Sequence, residues 1–124
     1  MTHYNIVFSD VLFRNVSSKP QFWKPVEGKP SSAIFKDSKG VSVDRQKERD
    51  TSEVIDDIKS KFTDTYAIIT VSTDDCSNAN VVVLDKPLEN NPFHAEIHKS
   101  STEIQLSSAQ ARRLAKACKV VFKK

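Results

Sequence analysis

Hydrophobic and polar residues along the chain fall into short blocks whose period changes from one block to the next. The first block, YNIVFSDVLFRNV at residues 4–16, is aromatic and β-branched, and predicts one bent strand or two short ones. In the next, SSKPQFWKPVEGKP at 17–30, Pro20, Pro25 and Pro30 each remove a backbone donor and fix φ, which forbids regular sheet or helix. A long ordered loop anchored by Phe22 and Trp23 is expected there, and loops of this length tend to be functional or to pack as lids. The pieces AIF and VSVDR flank KDSKG, whose Asp37 and Gly40 supply turn chemistry, so residues 33–45 predict a β-hairpin. Alternation within its second arm puts Val41, Val43 and Arg45 on one face and Ser42 and Asp44 on the other.

A helical period follows. Val54, Ile55, Ile58 and Phe62 form an apolar stripe behind Ser52 or Thr51 as N-cap, predicting a helix to about Phe62. TYAIITVST and VVVLDKPL are near-continuous apolar runs separated by the breaker DDCSNAN, and both read as strands central in a sheet. HAEIHK alternates, with Ala95 and Ile97 toward the core. Ser107 and Gln110 have capping-box spacing for a last helix to about Cys118, striped by Ala111, Leu114, Ala115 and Cys118; KVVFKK closes the chain as a strand. Strands, a helix, more strands and a helix predict one α+β domain over residues 1–124, with a mostly antiparallel or mixed sheet and two helices.

Composition narrows the function classes. At 124 residues the chain can bury roughly two-thirds of its unfolded surface without staples. Two cysteines, Cys76 and Cys118, are too few for a disulfide framework or a cysteine-based zinc site. With no long apolar run, signal pattern or lipidation motif, a reducing bacterial cytoplasm and no membrane are expected. Only Gly28 and Gly40 occur, so neither a P-loop nor a dinucleotide-fold phosphate cradle can be built, which excludes simple ATPases, GTPases and dinucleotide-fold dehydrogenases. The net charge of +3 permits an anionic partner without requiring one. Arg112, Lys116 and Lys119 lie opposite the apolar stripe of the last helix, with Arg113 beside them and Lys123 and Lys124 beyond. No aromatics interleave them, so they read as a solvated face and nucleic acid is not expected as a partner.

Candidate chemistry concentrates in two stretches. In NNPFHAEIHK, His94, Glu96 and His98 occupy every second position of a strand and share a face, where imidazole and carboxylate suit zinc or a first-row metal. Residues two apart on a strand are about 7 Å apart, so two of these side chains reach a common ion more readily than three. His94 with His98 is the metal-binding alternative. HAE also opens the zinc deaminase signature, but the Pro-Cys-x-x-Cys that completes that site is missing. Asn90, Asn91 and Pro92 form a stiff polar entry that holds His94 near a sheet end. In GVSVDRQ, Arg45 can bind a phosphate or carboxylate and Asp44 can orient it or take a ribose hydroxyl. Arg14 sits inside an apolar strand, where a charge needs a partner; a salt bridge to Asp44, Glu96 or Asp85 is the structural reading of either arginine. No nucleophile elbow is present, and Cys118 falls on an apolar stripe as a core thiol.

The segments SSAIF, GVSVDR and PLENNPFHAEI resemble a group of small bacterial proteins that share LFR, SVDR and NPxHAxI segments. The resemblance spans roughly Leu12 to Ala115 and implies no activity. More distantly, an arginine in the first strand, a serine in the SV strand and a glutamate in a late strand are similar in order to ADP-ribosyltransferase-like folds. That likeness implies that Arg14, Ser42 and Glu96 hold NAD and stabilise an oxocarbenium-like transition state, with Phe22, Trp23 or Phe35 as the nicotinamide platform. The expectation is a small binding or accessory domain with a cleft for an anionic, nucleotide-like molecule, or a surface for a protein partner. The cleft is expected to gather Arg14, Ser42, Asp44, Arg45, Asn91, His94 and Glu96 at one end of the sheet.

Overall fold

The computed structural model describes residues 5–7 and 9–124, and only the backbone of residues 5 and 6. Tyr4 and Phe8 of the first apolar block therefore lie outside the described residues. That block supplies two strands, β1 (Asn5–Ile6) and β2 (Val11–Val16). Beyond it come β3 (Trp23–Lys24), β4 (Lys29–Pro30), β5 (Val41–Arg45) and helix α1 (Thr51–Lys61). Strand β6 (Ala67–Ser72), helix α2 (Thr73–Asn78), β7 (Val82–Asp85), β8 (His94–His98), α3 (Ser108–Ala117) and β9 (Lys119–Lys123) complete the order.

Among the described residues seven strands form one sheet in the order β1-β7-β8-β5-β2-β6-β9, and β3 with β4 forms a separate ribbon. Every pairing is antiparallel, which places the domain in the α+β class read from the element order. The two apolar runs, β6 and β7, are each paired on both sides and lie one strand in from the sheet's ends.

The two faces of the sheet are covered differently. Leu12, Val43, Ile69 and Ile97 bury one face against the 3-10 turn Ser32–Phe35, α2 and α3, which contribute Ile34, Phe35, Cys76, Ala111 and Leu114. Helix α1 covers only part of the other face, packing Val54 and Ile58 on Phe13 of β2 and Ile68 of β6. Each such fully buried aliphatic side chain is worth roughly 1.5–3 kcal/mol of transfer free energy. The faces of β5 and β8 beside that helix remain polar.

Four expectations are corrected. The hairpin over 33–45 does not form: Ile34 and Phe35 are both buried, which neighbouring residues of a strand cannot achieve on one face, so they sit in a 3-10 turn. The partners of β5 are β2 and β8. A third helix, α2, occupies what reads as a breaker. Ser72 Oγ accepts from the Asp75 N–H at 3.0 Å and Asp75 Oδ2 from the Ser72 N–H at 2.9 Å, a capping box that six residues are too few to announce by periodicity. Finally, residues 17–30 include the short β3–β4 ribbon, in which Trp23 pairs with Pro30. Its Phe22 and Trp23 do anchor the loop, packing against the main core, with Trp23 edge-on to Tyr66 at 5.3 Å. The N-cap of α1 is Asp50, one residue before Thr51 and two before Ser52, the caps read from sequence, and Glu53 Oε1 accepts its N–H at 3.3 Å.

Among the described residues no helix is long and apolar enough to cross a membrane. Cys76 and Cys118 are both free, and burial raises the first thiol to about 12 and the second to about 11, so neither is a ready nucleophile.

Candidate functional site

In an antiparallel ladder, paired residues project from the same face. Phe13 pairs with Asp44 and Asp44 with His94, so the three lie in a row across β2, β5 and β8. Two residues along, Ser42 faces Glu96. This row forms the floor of a cleft of about 300 Å³ between the C-terminal end of α1 and the turn at residues 88–91. That volume is at the lower end of the range for small-molecule sites.

Asp44 is the fixed point of the floor. It is 7% exposed, with Lys61 Nζ of α1 2.8 Å from Oδ2 and Asn91 Nδ2 donating to Oδ1 at 2.9 Å. Asn91 Oδ1 in turn accepts the Phe93 N–H at 3.1 Å, while Leu88 and Asn91 exchange backbone hydrogen bonds of 2.9 and 3.0 Å. The asparagine therefore both closes the turn and ties it to the floor. Lys61 also lies 3.1 Å from Asp57, which is 3.4 Å from Arg49. Arg49 stacks on Phe93 with its guanidinium carbon 3.5 Å from the ring centroid.

His94 is oriented by the strand beside it. Its Nδ1 lies 2.9 Å from the carbonyl oxygen of Lys86, an acceptor only, so Nδ1 carries the proton. In the neutral ring Nε2 then keeps its lone pair, and the Ser42 hydroxyl, on an exposed residue, is 3.4 Å away. The arrangement presents a hydroxyl and an imidazole acceptor to any molecule in the cleft. Phe62 and Leu88, 49% and 48% exposed, stand at its rim as apolar walls.

Four of the seven site residues read from sequence, Ser42, Asp44, Asn91 and His94, line this cleft together. Glu96 shares their face but is occupied: Lys86 Nζ is 3.1 Å and His98 Nε2 2.9 Å from its Oε1. Burial works against its ionisation, yet the hydrogen bonds and charges of His98 and Lys86 prevail and hold its pKa below the usual value.

The two arginines do not converge on the cleft. Arg45 pairs with Leu12 and so projects from the opposite face, where it meets Asp10 at 3.0 Å and Asp85 at 3.3 Å. Arg14, between Leu12 and Val16, also faces that side. Its Nε donates to the Ile34 carbonyl at 2.8 Å and an Nη to the Ser42 carbonyl at 2.7 Å. Burial lowers this guanidinium to about 10, with Asp37 pulling the other way, so it stays charged near neutral pH. Of the salt bridges expected for the arginines, Arg45–Asp85 forms, while Arg14 is held by carbonyls.

The order Arg14, Ser42, Glu96 that resembles ADP-ribosyltransferases is thus divided by the sheet: Ser42 and Glu96 are cross-strand neighbours and the Arg14 side chain is behind them. Phe35 is fully buried, and Phe22 and Trp23 pack on the main core rather than on the cleft or an open apolar patch. His94 and His98 point at different acceptors, and among the described residues no group of three His, Cys, Asp or Glu side chains is arranged to hold a metal.

Lys61 and the rim residues Phe62 and Leu88 were not legible as site residues. A signal for Lys61 exists, since it is seven residues beyond Val54 and three beyond Ile58, on the helix stripe that faces the sheet. Comparisons with protein-family models, with curated proteins and with solved structures found no match for the chain.

Proposed function

We propose that this domain is a small-molecule binding module whose cleft takes an uncharged, flat, polar group of the nucleobase or nucleoside type. The observation that carries this reading is the fixed row Ser42–Asp44–Asn91–His94 beneath apolar walls. A hydroxyl, an amide and an imidazole acceptor stand within one hollow bordered by Phe62 and Leu88. Pre-ordered donors and acceptors between apolar walls suit a heterocycle, which offers edges to the polar groups and faces to the walls.

Charge argues for the uncharged part of such a ligand. Among the described residues Lys61 is the one cation lining the cleft, and Asp44 and Asp57 already hold it. An incoming phosphate would have to displace a carboxylate at 2.8 Å, and the arginines that could have received it face the other way. The nucleotide-like ligand read from sequence is therefore kept, without the anionic group as its anchor in this cleft.

A second reading rests on the His94 tautomer. With Nδ1 pinned to a carbonyl, Nε2 can take a proton from Ser42 Oγ, the relation between a general base and its nucleophile. Asn91 and Lys61, the nearest side chains that could stabilise an oxyanion, are engaged with Asp44, which places binding ahead of catalysis.

Thermal-shift and calorimetric titration with the four ribonucleosides, their 5′-monophosphates and NAD tests both readings. A nucleoside should raise the melting temperature of the native protein by mass action, with the monophosphate no better, and His94→Ala should weaken binding by about tenfold. No response to any compound at millimolar concentration, or equal affinity in His94→Ala, overturns the cleft assignment. Covalent labelling of Ser42 by a fluorophosphonate, lost in His94→Ala, would put the catalytic reading first.

A further inference from the structure

The basic residues of the last helix acquire a context that their spacing did not reveal. Arg112 and Lys116 are one turn apart on the exposed side of α3 and make no ion pair among the described residues. Facing them is the β3–β4 ribbon with Lys24 and Lys29. Together the four cations line a hollow of about 250 Å³, whose remaining wall includes Ser32 and Ala115. Among the described residues one carboxylate pairs with the group: Glu27 lies 3.5 Å from Lys24 and 3.7 Å from Lys29, at side chains that are about half exposed.

The backbones carrying these charges are firmly held. Ala111 and Leu114 of α3 are fully buried against the core, and Pro30 of the ribbon is buried as well. The like charges are therefore kept close by packing elsewhere, at an electrostatic cost that a bound anion would relieve.

We propose that this hollow binds the phosphomonoester group of a small molecule. Such a group carries about −1.5 to −2 charges near neutral pH on three oxygens. It can receive the fork of Arg112 on two of them and the lysines as point charges on the rest. A nucleic-acid strand would require a track of cations with stacking aromatics, whereas Phe22 and Trp23 pack against the core and do not line this hollow. The hollow lies on the α3 side of the sheet and the cleft on the α1 side, so the two sites are independent and their tests separable.

The test is an amide chemical-shift titration of the full chain with ribose 5-phosphate and with inorganic phosphate, against chloride at matched ionic strength. Both phosphates should give saturable shifts in residues 24–32 and 108–117 and leave residues 42, 44, 91 and 94 unmoved. The double variant Arg112→Gln/Lys116→Gln, altered only at exposed positions, should keep the native spectrum and bind about tenfold more weakly. Shifts that never saturate by ~20 mM, or that chloride reproduces, reduce the effect to general screening and overturn the site. Undiminished binding by the double variant also overturns it, and saturation by inorganic phosphate with exclusion of the ester overturns the ester assignment.

Discussion

Lys61 crosses from the end of α1 to the floor of the sheet and places its Nζ 2.8 Å from Asp44 Oδ2. The contact joins helix α1 to β5, the strand that brings Ser42 and Asp44 to the cleft. It also leaves Asp44, 7% exposed, dependent on two partners. Lys61→Met should therefore destabilise the fold by about 1–2 kcal/mol, because a nearly buried carboxylate keeps only Asn91. Adding Asp44→Asn should recover part of that loss. Urea unfolding of both single variants and the double variant measures the coupling, and strictly additive losses would refute it.

Gly40 is fixed by what lies over it. At φ +102° it is in a conformation that side chains disfavour, and an added Cβ would stand 2.8 Å from Glu96 Oε1 and 2.9 Å from His98 Nε2. Gly40→Ala should cost about 1–3 kcal/mol and disturb the His98–Glu96 contact. Thermal unfolding gives the first quantity and the His98 imidazole resonances the second; unchanged values for both would contradict the close approach.

The pH dependence of stability should carry a contribution from Glu96. Its pKa is lower in the folded chain than in the unfolded one, so the unfolded state binds more protons as the medium turns acid. The stability it adds is complete above the ordinary carboxylate pKa and is lost as pH falls through the depressed folded value. Glu96→Gln should be less stable than the native chain near pH 6, and the difference should shrink steadily below the ordinary carboxylate range. Urea midpoints across that range measure it, and a pH-independent difference would remove the assignment.

Arg14 straps two segments of the main core together. Its two donors bridge the Ile34 and Ser42 carbonyls, tying the turn at residues 32–35 to the back of the strand that presents Ser42. Lysine keeps the charge but not the planar fork, so Arg14→Lys should cost about 1.5–3 kcal/mol through one lost charge-assisted bond. Denaturant unfolding checks the size of the loss, and a neutral substitution would show that one carbonyl contact suffices.

Much of this organisation is written into local spacing. Alternation along VSVDR already sets Arg45 with Val41 and Val43 and against Asp44, and the same rule sends Arg14 to the side of Leu12 and Val16. Convergence of both arginines with His94 was in that sense discouraged by the sequence itself. The short elements were harder to read. Helix α2 lacks the length for a period, and Ile34–Phe35 are apolar in a way that suits a strand or a turn equally.

The chain's own periodicity determined the strands β6, β7 and β8, the two longer helices, the α+β class and the division of polar from apolar faces. Each of these follows from side-chain directions that repeat every two or every 3.6 residues. Tertiary structure decided that β5 lies between β2 and β8, that Lys61 closes on Asp44, and that Lys24 and Lys29 come to rest opposite Arg112 and Lys116. Such meetings bring together residues from 17 to more than 80 positions apart. They depend on strand order and helix docking, which are set by non-local pairing and shared burial rather than by the local spacing of any one segment.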